Sequence, residues 1–563
     1  MKTNDLVQII VYFGSLVLLV PVLGTYLAQV FDGRRHWFTP AFNRLEQWLY
    51  RLAGIDPSVE TNWKQYAVTL LLFNAWGFAA LLSLQLCQGL LPLNPQHMPK
   101  LPFWLAFNTA VSFMTNTNWQ AYSGEAVMSY LTQMLGLTVQ NFLSAGTGMS
   151  VLLAFSRGFI RVNTDKIGNF YSDLVKTILY ILLPLSCLFA LVLVGQGVVQ
   201  SFHLYHAMTT LEGQNDLIPL GPAASQIAIK QLGTNGGGFF GVNCAHPFEN
   251  PTPFSNYLEM LALLLIPASS VYMFGLMVKN RRHGWCLFGV MLVILIAGFA
   301  AAWWAETHLN PVTGLSGWME GKETRFGVMN SVLWGTATTA ASNGSVNAMH
   351  DSFSPLAGLI LLVNMMLGEI IFGGVGSGLY GMLLFVLMTV FLAGLMVGRT
   401  PEYLGKKIEA REMVWVIMGI LISGAVIVTG TALACLLPST KASLANGGPH
   451  GFSEVLYAFA SAGANNGSAF AGLNADTFFF NIALAVAMLL GRFGVILPVL
   501  ALSSALGLKK ITPPNSGTFP TNGVTFMVVL GGVILIVGAL TFFPVLLLGP
   551  VADHFLMMSG RTF

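Results

Sequence analysis

Four short polar stretches carry the residue types that could do chemistry in this chain: "TNTNWQ" at 115–120, "GTNGGG" at 233–238, "SNGSVN" at 342–347 and "NNGSAF" at 465–470. None contains an aspartate or a glutamate. Thr115, Asn116, Thr117, Asn118 and Gln120, then Thr234 and Asn235, Ser342 and Asn343, and Asn465 and Asn466 offer neutral hydroxyl and amide oxygens. Gly236, Gly237, Gly344 and Gly467 let the backbone extend with its carbonyls to one side. Such dipoles replace the shell of a weakly hydrated monovalent cation, whereas carboxylates favour divalent ions. Potassium fits this chemistry best, and composition leaves sodium and ammonium open. In the first stretch Trp119 stands where the other three have glycine, which predicts a different backbone path there, with the Gln120 side chain adding an oxygen.

Two enzymatic readings fail on spacing. Consecutive glycines suggest a phosphate loop, but Lys230 precedes them, and a Walker loop needs its lysine after the last glycine. Ser345 and His350 suggest a hydrolytic pair, but no third residue orients the histidine and no oxyanion donor can be named.

The elements that position these stretches are membrane spans. Hydrophobic residues make up 55% of the 563 and charged residues 9%, against about 25% charged in soluble domains. The net charge of +3 is small and spread out, which argues against nucleic acid as a partner. The five cysteines are far apart and without metal spacing, so they read as small hydrophobes with no disulfide framework. Apolar windows long enough to cross the bilayer lie near 7–30, 66–90, 127–155, 174–199, 256–278, 284–304, 356–397, 413–437, 477–503 and 525–549. The seventh is interrupted by "FGGVGSGLYG" at 372–381. The first is too long for a signal-peptide core and is expected to stay as a span. Every second connection is basic, as with Arg34, Arg35, Arg157, Arg161, Arg281, Arg282, Arg399, Lys406, Lys407, Lys509 and Lys510. The positive-inside rule makes these connections cytoplasmic and puts both termini outside. Lys406 and Lys407 are expected to set topology and to touch anionic lipid.

Each polar stretch follows a short apolar segment in an outside connection, and the stretches recur at roughly the same spacing, a sign of tandem units. The chain therefore reads as an all-α polytopic membrane protein. It has ten transmembrane helices, four pseudo-repeated helix–pore helix–filter–helix units around one pore, and one extra helix at each end. The expected divisions are 1–64 for the first helix and a cytoplasmic linker, 65–172, 173–282, 283–411 and 412–510 for the four units, and 511–563 for the last helix. Non-helical backbone at membrane depth survives only where protein buries it or where it lines a path for water or ions. Two ionisable residues are expected at that depth: Glu369, before the glycine-rich break, and Arg492 in the ninth span.

The stretches "TNTNWQ", "GTNGGGFFG", "HPFENPT" (246–252), "SNGSVNAMHDS" (342–352), "GRTPEYLGKKI" (398–408) and "NNGSAFAGL" (465–473) together resemble the KdpA family, over essentially the whole chain. These are the potassium-binding, channel-like subunits of bacterial Kdp potassium-importing P-type ATPases, in the superfamily of potassium transporters. The resemblance implies a selectivity filter formed by the four stretches and a tunnel within the membrane leading to the ATP-hydrolysing B subunit. It further implies C and F subunits in the complex and the bacterial inner membrane as location. Potassium is then the transported ion, and no ATP site is expected, since the chain lacks a "DKTGT" segment. It also implies a plug under the filter, for which Glu369, Gly373, Gly374, Gly376, Gly378 and Arg492 are the matching residues. A stand-alone potassium channel or ion-coupled symporter of the same superfamily is the alternative.

Overall fold

The computed structural model describes residues 3–398, 400–513 and 518–561, so Arg399 lies outside the described residues. Among them, ten helices are long and apolar enough to cross a membrane. The first, α1 (Thr3–Phe31), precedes four units of one plan. The first unit is α2 (Trp63–Leu90), the short α3 (Phe103–Met114) and α4 (Thr132–Ile160). The second is α5 (Phe170–Gly195), α6 (Ala223–Leu232) and α7 (Pro253–Met277). The third is α8 (Arg281–Thr307), α9 (Gly327–Ala340) and a broken helix, α10 (Pro355–Met366) with α11 (Ser377–Val397). The fourth is α12 (Ala410–Leu436), α13 (Gly448–Gly463) and α14 (Phe478–Gly507), and α15 (Val524–Met558) follows. The short helices of 10 to 16 residues are too brief to cross ~30 Å of hydrocarbon at 1.5 Å per residue. Each descends part of the way and hands the chain to a polar stretch.

The second spans of the units form the centre. Helices α4 and α7 are mostly buried, whereas α1 and α15 turn most of their apolar surface outward. Small residues permit the close crossings expected where lipid supplies no hydrophobic drive between helices. A Cβ on Gly158 of α4 would lie 2.6 Å from the Ser503 carbonyl oxygen of α14, and one on Gly275 of α7 would lie 2.9 Å from Gly284 Cα of α8. Side-chain caps fix where the return helices start. Thr252 accepts from Ser255 N at 3.0 Å ahead of Pro253, and Thr477 accepts from Phe480 N at 3.3 Å.

Three expectations need correction. The interruption of the seventh window occupies 367–376 rather than 372–381, because Ser377 to Gly381 are helical. Gly378 and Gly381 serve close packing there: a Cβ on Gly378 would overlap the Phe372 carbonyl. Lys406 does not touch lipid. It is fully buried in the hairpin of β5 (Glu402–Tyr403) and β6 (Lys406–Lys407), after the short pairs β1 (Thr61–Asn62) with β2 (Lys166–Gly168) and β3 (His206–Thr209) with β4 (Asn215–Ile218). Its Nζ donates to the carbonyls of Gly158 at 2.8 Å, Leu506 at 2.7 Å and Arg161, so the ammonium satisfies carbonyls left free at the ends of α4 and α14. Lys407 is exposed and pairs with Glu409 at 3.2 Å. Finally, all five cysteines are free, but Cys244 is more than a small hydrophobe, since its buried Sγ lies 3.2 Å from a Glu259 carboxylate oxygen.

Candidate ion-binding site

All four short helices end in the same way. The residue two past the last helical one is left-handed: Asn116 (φ 66°), Thr234 (φ 51°), Ser342 (φ 51°) and Asn465 (φ 51°). The next N–H returns to the carbonyl five residues back: Thr117 to Ser112 (3.0 Å), Asn235 to Lys230 (2.8 Å), Asn343 to Thr338 (3.1 Å) and Asn466 to Ser461 (2.8 Å). This is a Schellman cap, which stops the helix and sends the chain off along a new direction. Thr115 therefore belongs to the helix end, where its hydroxyl donates to the Ser112 carbonyl at 3.1 Å. The second residue after the first left-handed one is left-handed too: Asn118 (φ 55°), Gly236 (φ 85°), Gly344 (φ 85°) and Gly467 (φ 95°).

That register corrects the expectation for Trp119. Asn118, not Trp119, stands at the glycine position, and it adopts the same left-handed backbone because asparagine tolerates it. The first segment thus follows the path of the other three. Gln120 is not available as an extra oxygen either. Its Oε1 accepts from Gly238 N at 2.8 Å and its Nε2 donates to Gly238 O at 2.9 Å, which clamps the first segment to the second.

The four segments close into a ring. Asn116 Nδ2 donates to the Thr234 carbonyl at 3.0 Å, joining the first segment to the second. A Cβ on Gly236 would overlap the Asn343 carbonyl, one on Gly344 the Asn466 carbonyl, and one on Gly467 the Thr117 carbonyl. Segment two therefore abuts three, three abuts four, and four abuts one. Gly237 lies against Asn118, whose Nδ2 would be 2.9 Å from an added Cβ.

Side chains of these residues stitch the ring rather than line it. Asn343 Nδ2 donates to the Lys230 carbonyl and Asn466 Nδ2 to the Thr338 carbonyl, both at 3.0 Å, so each segment ties to the preceding helix. Asn235 Nδ2 reaches Asn116 Oδ1 at 2.5 Å, and Asn465 Nδ2 reaches Thr117 Oγ1 at 2.8 Å. The amide oxygens of Asn343 and Asn466 accept from the N–H of Ser345 (3.0 Å) and Ser468 (3.1 Å). The Ser342 hydroxyl donates to the Ala464 carbonyl at 3.0 Å. The expected ring of hydroxyl and amide oxygens is thus largely engaged by the scaffold. What remains, apart from the Asn118 and Asn235 amide oxygens, which are buried without a partner, are backbone carbonyls. Among the described residues, no donor reaches the carbonyls of Thr117, Asn235, Asn343 or Asn466, and all four residues are buried. Buried carbonyls are almost always paired, so four equivalent ones without a donor call for a partner from outside the chain, an ion or ordered water.

The break at 367–376 packs directly against this ring. Val375 N donates to Thr234 Oγ1 at 2.8 Å and Gly373 N to the Ala340 carbonyl at 3.1 Å. A Cβ on Gly376 would overlap the Gly148 carbonyl of α4, and one on Gly374 would lie 3.3 Å from Thr234 Oγ1. Glu369 and Phe372 hold left-handed φ values of 61° and 65°, a strained arrangement for residues with side chains. Arg492 is buried and donates to the Ser144 carbonyl at 3.1 Å. Glu369 stands beside Ser342 and Ser377 within the field of Arg492. The ion pairs of the described residues do not include these two with each other.

A charged network behind the second segment was not expected from the sequence. Lys230 and Glu249 form a fully buried ion pair, and Glu259, on α7, is fully buried as well. Gln231 Nε2 donates to Glu259 at 3.0 Å, while Ser345 Oγ donates to Gln231 Oε1 at 3.0 Å. A lysine inside the apolar segment "AASQIAIKQL" was the visible signal. Ser345 and His350 do not meet: His350 Nδ1 pairs with the Tyr457 hydroxyl at 2.8 Å. His246 stacks on Phe240 with ring centroids 4.0 Å apart, and Asp351 pairs with His450 at 3.0 Å.

Comparison with known proteins gives one consistent outcome. The family model described as KdpA, potassium-transporting ATPase A subunit, matches residues 10–555. The chain is 54% identical over 562 residues to the potassium-transporting ATPase potassium-binding subunit of Leptospira interrogans serogroup Icterohaemorrhagiae serovar copenhageni, covering 100% of both chains. It is 55% identical over 569 residues to the protein of that name from Rhodospirillum centenum, covering 100% of this chain and 99% of that one. For Pseudomonas aeruginosa the identity is 54% over 559 residues, covering 98% and 99%. Among solved structures, the crystal structure of the potassium transporter TrkH from Vibrio parahaemolyticus shares the fold. Its TM-score is 0.51 at 13% identity, covering 88% of this chain and 97% of that one.

Proposed function

This chain belongs to the KdpA family of potassium-transporting ATPase A subunits, and from that premise we propose that it binds potassium for an ATP-driven importer and passes it to an ATPase partner. The observation that carries the reading is the ring of four buried, equivalent carbonyls without donors, at Thr117, Asn235, Asn343 and Asn466. Alternating signs of φ let successive carbonyls of one segment face the same side, and four such segments make a cage of neutral oxygens. No carboxylate stands in the segments, which suits a monovalent ion. The filter residues are Asn116 to Asn118, Thr234 to Gly237, Ser342 to Gly344 and Asn465 to Gly467.

Below the ring, Glu369, Arg492 and the loop from Gly373 to Gly376 act as a plug on the straight route to the cytoplasm. Potassium then turns aside through a tunnel within the membrane to the B subunit, which hydrolyses ATP, in a complex completed by C and F subunits. The filter opens to the periplasmic side of the inner membrane, with both termini on that side. A stand-alone channel is less well supported, since relatives more than 50% identical over the whole chain are named as ATPase subunits.

The test is ATP hydrolysis by the chain co-purified with its ATPase partner. Hydrolysis should rise and saturate with potassium and stay near background in sodium, and the chain alone should hydrolyse none. Potassium-independent hydrolysis, or potassium flux through the chain alone in liposomes, would count against it.

A further inference from the structure

The four glycine-level carbonyls of the ring are not alike. Among the described residues, no donor reaches the carbonyls of Asn118, Gly344 or Gly467, but the Gly236 carbonyl accepts from Asn243 Nδ2 at 2.8 Å. Asn243 is itself fixed. Its backbone is left-handed (φ 55°), and its Oδ1 accepts from Cys244 N at 2.9 Å and from Lys230 Nζ at 2.8 Å. Glu249 completes the lysine's surroundings, and its other oxygen accepts from Phe240 N at 2.9 Å. Lys230 occupies the helix position that Ser112, Thr338 and Ser461 hold in the other units. Three hydroxyl residues at that position make the same cap, so the fold does not need a cation there. A fully buried lysine is expensive even when paired, and leaving hydroxyl residues at three of four equivalent places points to a task specific to the second segment.

We infer that Lys230 and Asn243 form a relay that fixes the Gly236 carbonyl and makes the second segment the part of the ring that rejects smaller cations. The inference rests on the filter reading above and adds a specificity determinant to it. An ammonium on Asn243 Oδ1 draws electron density from the amide and strengthens donation by its Nδ2. The carbonyl so engaged has one lone pair committed and a fixed direction. It cannot swing inward to close on sodium, whereas the three carbonyls without donors can adjust. Lys230 and Asn243 are positioning residues in this scheme: they act on the ion through Gly236.

The test uses the whole complex with its ATPase partner and three variants: Asn243→Leu, which removes all three side-chain hydrogen bonds; Asn243→Asp, which keeps the acceptor for Lys230 but loses the donor to Gly236; and Lys230→Met with Glu249→Gln, which removes the paired charges together. Potassium-stimulated and sodium-stimulated ATP hydrolysis are measured for each. The expected result is a rise of about tenfold in half-saturating potassium and a matching loss of discrimination against sodium, with the maximal rate kept within about twofold. Unchanged potassium and sodium dependence overturns the relay, as does a fall in maximal rate alone or a loss of thermal stability alone. Should all three variants fail to assemble, the residues are scaffold and the relay is overturned as well. Gly344→Ala is the control for the filter itself. If it weakens potassium dependence while the relay variants do not, the relay falls and the filter stands; if it too leaves potassium dependence unchanged, the filter reading falls.

Discussion

Replacing Gly344 with alanine should weaken potassium dependence of the complex by about a hundredfold, equivalent to roughly 3 kcal/mol. Two costs combine. The backbone at Gly344 has φ 85°, and a left-handed conformation costs an L-residue about 1–2 kcal/mol. The new Cβ would also overlap the carbonyl of Asn466, a backbone atom that cannot rotate away. The Asn466 carbonyl is one of the four without a donor, so the displacement falls on the proposed ion cage itself. Gly467→Ala should act similarly through the Thr117 carbonyl. Gly531→Ala, in α15 where an added Cβ meets nothing within 4 Å, should leave potassium dependence unchanged. Half-saturation of potassium-stimulated ATP hydrolysis reads all three. Equal shifts in the Gly344 and Gly531 variants would point to general destabilisation rather than to the cage.

Arg492→Met should open a potassium leak that needs no ATP. Arg492 is buried against α4 at the level of the loop under the ring, where its Nη2 holds the Ser144 carbonyl. At an effective dielectric of ~20, a unit positive charge about 6 Å from a cation opposes it by about 3 kcal/mol, worth roughly a hundredfold in flux. Arg492→Lys keeps the charge and should keep most of the seal. Rubidium uptake into proteoliposomes without ATP measures the leak. A background leak from Arg492→Met with normal ATP-driven transport would reduce Arg492 to a structural tie between α14 and α4.

The ten spans and the four polar segments were readable from the sequence because each answers a requirement that acts on composition. A span needs a long apolar window, and a helix that stops in a Schellman cap needs residues that accept a left-handed backbone. The register of the first segment was misread because glycine was taken as the only marker of that backbone, and Asn118 fills the position as well. The role of the side chains was misread for a different reason. Residue types reveal that Asn343 and Asn466 carry oxygens, but not that those oxygens would be spent on Ser345 and Ser468. Lys406 looked like a lipid contact because a basic residue in a connection is normally exposed. Its burial depends on three carbonyls from Gly158, Arg161 and Leu506, distant in sequence, that only the packed helices bring together. The Lys230 network was hidden likewise, since Asn243 and Glu249 reach it only once the chain beyond the second segment folds back over α6.

One monovalent cation is proposed to sit inside the ring of Thr117, Asn235, Asn343 and Asn466 carbonyls. Anomalous scattering from crystals of the complex grown with thallium in place of potassium would locate that cation. A thallium peak is expected on the axis of the ring, within coordination distance of carbonyls from all four segments, and it should be lost in Gly344→Ala. A peak elsewhere with none in the ring, or an axial peak that Gly344→Ala leaves unchanged, would contradict it.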